Sequence, residues 1–452
     1  MTSLLAGDAT GKAHRADAQR AITPQETLRR VRGRFGAIGL TRLANITGLD
    51  CLGIPVVLSV RPQAGYLSVD GGKGFSLTAA MASAAMECFE RFSGENTPLD
   101  RFDATYADLP EQARIPLEAL PLSRNSLFSP DLAGEWVMAD DLFGGPAVAV
   151  PTVMVALERF KHPRSSLLPF AFSSNGLNSG NTKAEALIGA LYEVIERDAT
   201  TCTKVSWQAG APMRRVDLST ATSPDIAHLV ETARANGIEV VVIDSTVDTG
   251  VPTFTAYLCD VQNPTMGLYH GYGTHLDPQV AVIRAICEAA QGRLVFIAGS
   301  RDDSFGHHRR FRATYDEANA TLLARPETVD LRAFADRSGD TFEADGRTLL
   351  ASLRRIGIPR VLAVDLTHPT VGVDVFRVVV PGLEGYMLED FTPGPRALAW
   401  AEQLVDGAAP DPAAAEIAFS SASSTSGPTV PAVPSASTSA LADLIDQEVA
   451  AS

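Results

Sequence analysis

The stretch TKAEALIGALYEVIERDA, residues 182–199, decides the fold. Its apolar residues recur at helical spacing, and its acids Glu193 and Glu196 lie on one face of that helix. Glu193 and Glu196 have the three-residue spacing that places two carboxylates on the same side of a helix. The residues around them are small or apolar, so we expect this helix to be mostly buried. The segment SSNGLNSGNT (173–182) precedes it and indicates turns before the helix begins.

Two further segments repeat this arrangement of a glycine-rich stretch followed by an acidic helix. Residues 78–93 and 278–297 are predicted helices with apolar backgrounds. The polar residues of the first helix are Ser83, Glu87, Glu90 and Arg91, and those of the last are Arg284, Glu288, Gln291 and Arg293. Arg197 follows Glu196 in the helix between them, as Arg91 follows Glu90. A solvated face with local ion pairs explains any single copy. Three copies on apolar helices favour converging acids, which are the hard oxygen ligands of a Mg²⁺ ion that also holds phosphates.

Two polar side chains in the glycine-rich stretches are candidates for phosphate contacts. Lys73 lies within GGKGFS (71–76), where we expect a turn that directs its ammonium and nearby backbone N–H groups at phosphate. Asn175 lies in the stretch before the second helix. A simple turn or a helix cap is the alternative for each.

The rest of the chain indicates a mixed α/β body with irregular ends. Strand-like runs alternate with the helices at 54–60, 148–157, 238–244, 253–259, 361–366 and 376–380. We expect a flexible leader over 1–25, a body over 26–405, an Ala-, Ser- and Pro-rich flexible tail over 406–440 and a short terminal helix over 441–452.

Composition excludes several classes of protein. The 452 residues contain 38 Lys and Arg against 53 Asp and Glu, a net charge of -15, which argues against a nucleic-acid partner. The sequence has neither an apolar run of about 18 residues nor a secretory signal, so we expect a cytoplasmic protein without a membrane partner. The five cysteines form no CxxC pair, which argues against a disulfide framework and a tetrathiolate zinc site.

Several motifs together resemble the YcaO family of ATP-dependent enzymes that modify peptide backbones. The resemblance covers roughly residues 26–405. It rests on TRLANITGLDCLGIPVV (41–57), SAAMECFER (83–91), the stretch 173–199, GYGTHLDPQVAVIRAICEAAQGR (271–293) and RVVVPGLEGY (377–386).

The resemblance implies the YcaO-type α/β fold of mixed sheets and helices, with an ATP cleft lined by the three acidic helices. The implied cofactors are ATP and Mg²⁺. The implied nucleotide-binding residues are Lys73, Ser83, Glu87, Glu90, Asn175, Arg284 and Gln291. The implied Mg²⁺ ligands are Glu87, Glu90, Glu193, Glu196 and Glu288. The arginines Arg91, Arg197 and Arg293 would support catalysis as ion-pair partners.

The implied reaction is attack of a nucleophile on a backbone amide, trapping of the oxygen by the γ-phosphate of ATP, and loss of phosphate. Azoline-forming members commonly need a zinc-containing E1-like partner or domain, and this chain has no CxxC pairs for one. It looks most similar to the stand-alone, TfuA-associated subgroup, which makes thioamides.

We therefore expect a ribosomally made precursor peptide, a TfuA-like partner, a sulfur donor and a homodimer. The alternatives are an azoline-forming cyclodehydratase acting on Cys, Ser or Thr, and a non-catalytic ATP-binding scaffold subunit.

Overall fold

The protein is described from a computed structural model, which covers residues 10–13, 18–122, 126–158, 170, 172–263, 267–302, 315–385 and 392–405. Within them the α-helices are α1 Pro24–Val31, α2 Leu77–Asn96, α3 Lys183–Gln208, α4 Pro224–Ala235, α5 Pro278–Ala298, α6 Tyr315–Ala324, α7 Phe342–Arg355 and α8 Pro395–Val405. The strands are β1 Arg42–Asn45, β2 Val56–Val60, β3 Val69–Lys73, β4 Arg101–Thr105, β5 Ala133–Asp141, β6 Val148–Pro151, β7 Leu177–Gly180, β8 Arg215–Asp217, β9 Ile238–Asp244, β10 Thr253–Asp260, β11 Tyr269–Thr274, β12 Glu327–Asp330, β13 Leu362–Asp365 and β14 Asp374–Val379.

The described strands form three sheets. The first has the order β1-β2-β3, and the second has the order β11-β10-β9-β8-β12. The third has the order β4-β5-β13-β14-β7, with β6 paired to β5. Neighbouring strands are antiparallel except for β12 and β8, which are parallel. Each sheet has an edge strand that leads directly into one of the long acidic helices.

Three strand–helix units, β3–α2, β7–α3 and β11–α5, are therefore built on the same plan. In each unit a short polar side chain accepts a hydrogen bond from a backbone N–H of the first turn, which fixes where the helix begins. These capping residues are Ser76, Thr182 and Asp277. Each helix then packs back on the strand that precedes it.

Glycines let the backbones of strand and helix approach each other within these units. A Cβ on Gly72 of β3 would lie 2.1 Å from the backbone nitrogen of Ala84 in α2. A Cβ on Gly273 of β11 would lie 2.0 Å from the carbonyl oxygen of Ala281 in α5. No side chain fits in that space, so the glycine-rich segments allow close packing of helix on strand.

The three units also close on one another. Helix α2 contacts β7, α3 contacts β11, and α5 contacts β3, so each helix touches its own strand and the strand of another unit. Their small and apolar residues, including Ala80, Ala186 and Ala285, are fully buried in the cores between helices and sheets. The polar faces of the three helices therefore meet in the interior.

The three predicted acidic helices are confirmed, and two predicted elements, one helix and one strand, differ in extent from the prediction. Helix α3 continues to Gln208, beyond the predicted end at residue 199, because its last two turns are buried by other elements. The run 148–157 is a strand only to Pro151 and then forms a 3₁₀ turn at Thr152–Met154. Proline has no N–H to donate to a sheet, which is consistent with the strand ending there.

The ends of the chain differ in what the structure describes. The tail 406–440 and the terminal helix 441–452 lie outside the described residues, as do 1–9 and 14–17 of the leader. Lys12, in the segment expected to be a flexible leader, is buried and donates to Asp345 of α7 at 2.6 Å. Among the described helices, none is long and apolar enough to cross a membrane.

Candidate active site

A line of carboxylates runs between α2, α3 and α5 where the polar faces of the helices meet. The negative charge of a neighbouring member raises the pKa of Glu90, that of Glu193 and that of Glu196. The order along the line is Glu87 and Glu90, then Glu193 and Glu196, then Glu288. The structure thus places the five acids that the sequence predicts as metal ligands in a series in which each lies within electrostatic reach of the next. We call these five residues the acidic line.

One end of the acidic line is neutralised by a lysine. Lys73 Nζ lies 2.7 Å from Glu288 Oε2 and joins β3 to α5. Gln291 of the same helix donates from Nε2 to the carbonyl oxygen of Gly71 at 2.6 Å. Lys73 is the last residue of β3, so the prediction that it lies in a turn is wrong. It remains accessible, with about a fifth of its side chain exposed.

The other end is built from α2 and its neighbours. The buried Glu90 accepts a hydrogen bond from the backbone N–H of Ser179 in β7 at 3.0 Å, which joins two units. Glu87 pairs with Arg91 at 3.0 Å, one turn further along the helix. Arg91 also lies 3.6 Å from Asp70 of β3. Ion pairs therefore orient the carboxylates at this end.

The carboxylates in the middle of the acidic line have perturbed acidities. Burial raises the pKa of Glu193 to about 7, with further contributions from the negative charges of Glu87 and Glu196. Burial and neighbouring carboxylates also raise the pKa of Glu90 and that of Glu196. These groups lack sufficient positive charge around them, so a cation bound between the helices would stabilise their ionised forms.

Glu288 behaves in the opposite way. Burial raises its pKa, but the cations Lys73, Arg197 and Arg284 outweigh burial and lower the pKa to about 2. Positive charge is therefore concentrated at the Glu288 end, and the uncompensated negative charge lies nearer Glu90 and Glu193.

Of the remaining predicted nucleotide-binding residues, Ser83 is related to this line by its position on α2 and Arg284 by its charge. Ser83 is half-buried on α2, one helical turn before Glu87 and on the same face. Arg284 influences Glu196 and Glu288, and its Nε is buried without a hydrogen-bond partner in the described structure. Asn175 is half-buried before β7, and its Oδ1 is likewise buried and unpartnered there.

The three arginines predicted to support catalysis do not share one environment. Arg91 pairs with Glu87, and Arg197 lies 3.8 Å from Glu196, so both contact the acidic line. Arg293 instead forms buried ion pairs with Asp50 at 2.9 Å and Asp260 at 3.1 Å. Its partners connect α5 to β10 and to the loop after β1, so its catalytic role stays a prediction without a contact to support it.

Sequence reasoning missed two residues of the site. Asp70 of β3 is buried against Arg91, and burial raises its pKa to about 7. Arg377 lies on β14, which packs on α3, and it interacts electrostatically with Glu193, Arg91 and Glu90. A charged residue inside an otherwise apolar strand, as in VDVFRVVV (373–380), is the signal that could have identified Arg377.

The donor set fits Mg²⁺ and a nucleotide. Among the described residues, no three His, Cys, Asp or Glu side chains lie close enough together to hold a metal ion. Mg²⁺ is usually held by one or two carboxylates with phosphate and water oxygens, which matches carboxylates spread along a line. The unpartnered N–H of Arg284 fits a phosphate oxygen.

Comparison with known proteins agrees with this site. The family model for the YcaO cyclodehydratases, described as ATP- and Mg²⁺-binding, matches residues 71–384, which include the whole acidic line. The chain belongs to the YcaO family.

Two curated relatives match most of the chain. A protein of Methanothermobacter thermautotrophicus is 39% identical over 82% of this chain and 96% of its own length. A protein of Rhizobium leguminosarum bv. trifolii, named for its position in the tfuA 3' region, is 33% identical over 81% of this chain and 88% of its own length.

Solved structures share the YcaO fold. YcaO from Methanopyrus kandleri, solved with AMPPCP and Mg²⁺, has a TM-score of 0.65 and 26% identity over 85% of this chain and 100% of its own. A heterocyclase in complex with substrate and cofactor has a TM-score of 0.73 and 23% identity over 86% of this chain. This chain spans 56% of that heterocyclase, and the likeness concerns the fold alone.

The family establishes the coarse activity and its cofactors. YcaO proteins modify peptides in an ATP-dependent reaction and bind Mg²⁺. The predicted recognition, the mixed α/β fold and the two cofactors are therefore confirmed.

Proposed function

We propose that this YcaO protein forms a thioamide in the backbone of a ribosomally made precursor peptide. The acidic line carries the ATP-dependent part of the proposal, because its carboxylates need cations and its Lys73 end attracts phosphate. Support for the thioamide product comes from the similarity to the tfuA-region relative and from the absence of CxxC pairs in the sequence.

Within this proposal the acidic line would hold Mg²⁺ through Glu87, Glu90, Glu193, Glu196 and Glu288. The nucleotide would be bound by Lys73, Ser83, Asn175, Arg284 and Gln291, together with Glu87 and Glu90. When bound, ATP would supply the phosphoryl group that activates the amide oxygen for replacement.

The chain's own groups contribute positioning and charge. Lys73 is held against Glu288 by a 2.7 Å ion pair, so its ammonium is fixed before a phosphate arrives. Arg91 and Arg197 contact Glu87 and Glu196, which keeps these carboxylates from rotating away from the cleft. A site arranged in advance in this way lowers the cost of neutralising charge during phosphoryl transfer.

The partners also belong to the proposal. A sulfur donor must supply the incoming atom, and a TfuA-like protein is the proposed partner that delivers it or the peptide. We further propose a homodimer and a location in the cytoplasm.

A cyclodehydratase that makes azolines from Cys, Ser or Thr is the second candidate function. The name of the matching family model favours it, and the same acidic line would serve it. The two reactions differ in the nucleophile, which is a sulfur species from the donor in one case and a peptide side chain in the other.

The mass of the precursor peptide distinguishes the two products. The purified protein is incubated with ATP, Mg²⁺, a sulfide source, the TfuA-like partner and the precursor encoded beside it. A mass gain that matches oxygen replaced by sulfur supports the thioamide, and loss of one water supports the azoline. An unchanged mass, with nucleotide bound, would contradict both and favour the scaffold subunit.

Substitution in the acidic line gives the matched test of the site. Glu87→Gln and Glu193→Gln each remove the negative charge and keep the size and shape of the side chain. Each should abolish turnover. Glu118→Gln, at an exposed position in the 3₁₀ turn Leu117–Ala119, is the control that should retain it. Full activity of either acidic-line variant would refute the assignment of these ligands.

A further inference from the structure

Arg377 is a buried arginine with unused hydrogen-bond donors. It lies on β14, is only 4% exposed, and faces neither solvent nor a carboxylate partner at hydrogen-bond distance. Its Nη2 donates to the carbonyl oxygen of Ser173 at 2.7 Å. Its Nε and Nη1 are buried and have no hydrogen-bond partner in the described structure.

Such an arrangement is unfavourable unless a ligand completes it. A buried N–H without an acceptor loses its hydration and gains nothing in return, and the loss is greater when the group is charged. Burial lowers the pKa of Arg377 to about 10, which leaves the guanidinium charged at neutral pH. Two donors are therefore left for oxygen atoms of a ligand or of water, because the described part of the chain provides none for them.

The position of Arg377 limits what the ligand can be. Lys73 and Arg284 act on Glu288 and Glu196 at one end of the acidic line. Arg377 acts on Glu193 in the middle of the line and also interacts with Glu90 towards the other end. A polyphosphate lying along the acidic line would therefore have cations at both ends, with Mg²⁺ ions and carboxylates between them.

The surroundings of Arg377 are aromatic, unlike those of Lys73, so Arg377 lies on the side of the cleft where a peptide and the terminal phosphate would meet. Ser173, its backbone partner, follows Phe172, and the ring of Phe172 packs edge-on against Tyr66 at 5.5 Å. Tyr66 also lies close enough to Arg377 to influence its charge. This half-buried aromatic pair offers an apolar surface for a peptide, whereas the Lys73 end offers charged and amide groups.

We propose that Arg377 binds the terminal phosphate of ATP through one of its free donors and so distinguishes a nucleoside triphosphate from a diphosphate. Nε and Nη1 point from different edges of the planar guanidinium, so one of them donates to a phosphate oxygen while the charge of the whole group attracts the phosphate. The proposal rests on the placement of the nucleotide along the acidic line. It assigns to β14 a part in nucleotide selection that the three acidic helices alone do not supply.

The test compares the binding of two nucleotides by calorimetry, with Mg²⁺ present and no peptide. The non-hydrolysable analogue AMPPCP carries a terminal phosphate group, and ADP does not. Arg377→Gln should weaken AMPPCP binding by about 10- to 100-fold, the loss expected for charged hydrogen bonds, and ADP binding by less than about threefold. Arg377→Lys keeps the charge but loses the fixed directions of the guanidinium N–H groups, so it should show an intermediate loss for AMPPCP alone.

The control is Arg101→Gln on β4, where the arginine pairs with Glu135 and Glu158 away from the acidic line. It should leave the preference for AMPPCP over ADP unchanged. Thermal unfolding of each variant reports whether it is folded, and Arg377→Lys provides the test if Arg377→Gln does not fold.

The outcomes separate this inference from the proposal on which it rests. Equal losses for AMPPCP and ADP, or no loss for AMPPCP, would overturn the role of Arg377 while the nucleotide site stands. If the unaltered protein binds neither nucleotide, the placement along the acidic line fails, and the role of Arg377 fails with it.

Discussion

Replacing Glu193 by glutamine should reduce the dependence of stability on pH in the metal-free protein. The ordinary pKa of 4.5 applies to Glu193 in the unfolded chain, and burial raises the pKa to about 7 in the folded protein. The folded state therefore binds the proton more tightly, and the stability this gives is present below pH 4.5 and lost as the pH rises through 7. This difference in pKa corresponds to at most about 3.5 kcal/mol, at about 1.4 kcal/mol for each pH unit, and most of it falls between pH 5 and 8.

The measurement is the free energy of unfolding by urea, in the presence of a chelator, at several pH values from 5 to 8. The unaltered protein should lose stability over this range, and Glu193→Gln should lose up to about 3 kcal/mol less. Some decline should remain, because the pKa of Glu90 and that of Glu196 are also raised. Glu118→Gln should follow the unaltered protein.

Addition of Mg²⁺ with AMPPCP provides a second arm of the same experiment. Bound cations favour the ionised carboxylates, so they should restore the stability of the unaltered protein most strongly at pH 8. Identical losses of stability between pH 5 and 8 for Glu193→Gln and the unaltered protein would refute the reasoning.

Three further substitutions test the close packing of α2 on β3 and two buried ion pairs elsewhere in the fold. Gly72→Ala should destabilise the protein by about 3 kcal/mol and weaken AMPPCP binding in calorimetry, whereas Gly36→Ala, which has open space, should do neither. Arg396→Gln leaves the buried Asp198 without its ion-pair partner and should cost about 3 kcal/mol in urea unfolding, with faster hydrogen exchange in α8. Lys12→Met breaks its buried ion pair and should lower stability by about 2 kcal/mol, and a change in urea midpoint no larger than scatter would contradict that burial.

Much of the site could be predicted because its residues repeat a short spacing within helices. Glu193 and Glu196 lie on one face of α3 for geometric reasons that depend only on the helix, and the apolar residues around them indicate burial. The same reasoning located Glu87, Glu90 and Glu288 on their helices. The repetition predicts that the three helices converge, and each helix does contact a strand of another unit.

What could not be predicted depends on contacts between distant segments. Arg377 occurs alone in an apolar strand, and its position beside Glu193 follows from the packing of β14 on α3. The glycines around Lys73 predict a turn. In the structure Gly71 and Gly72 belong to strand β3, which α2 approaches closely. Arg293 looked equivalent to Arg91 and Arg197 by sequence, yet it pairs with Asp50 and Asp260, which no local pattern indicates.

The closed arrangement of the three strand–helix units also bears on how the site communicates with the surface. A helix that contacts two sheets cannot shift in a close-packed interior without displacing both. Movement of α2, α3 or α5 on filling the cleft would therefore be transmitted outward through both sheets that the helix contacts. A protein docked on the far side of any of these sheets could sense whether the cleft is filled without touching it.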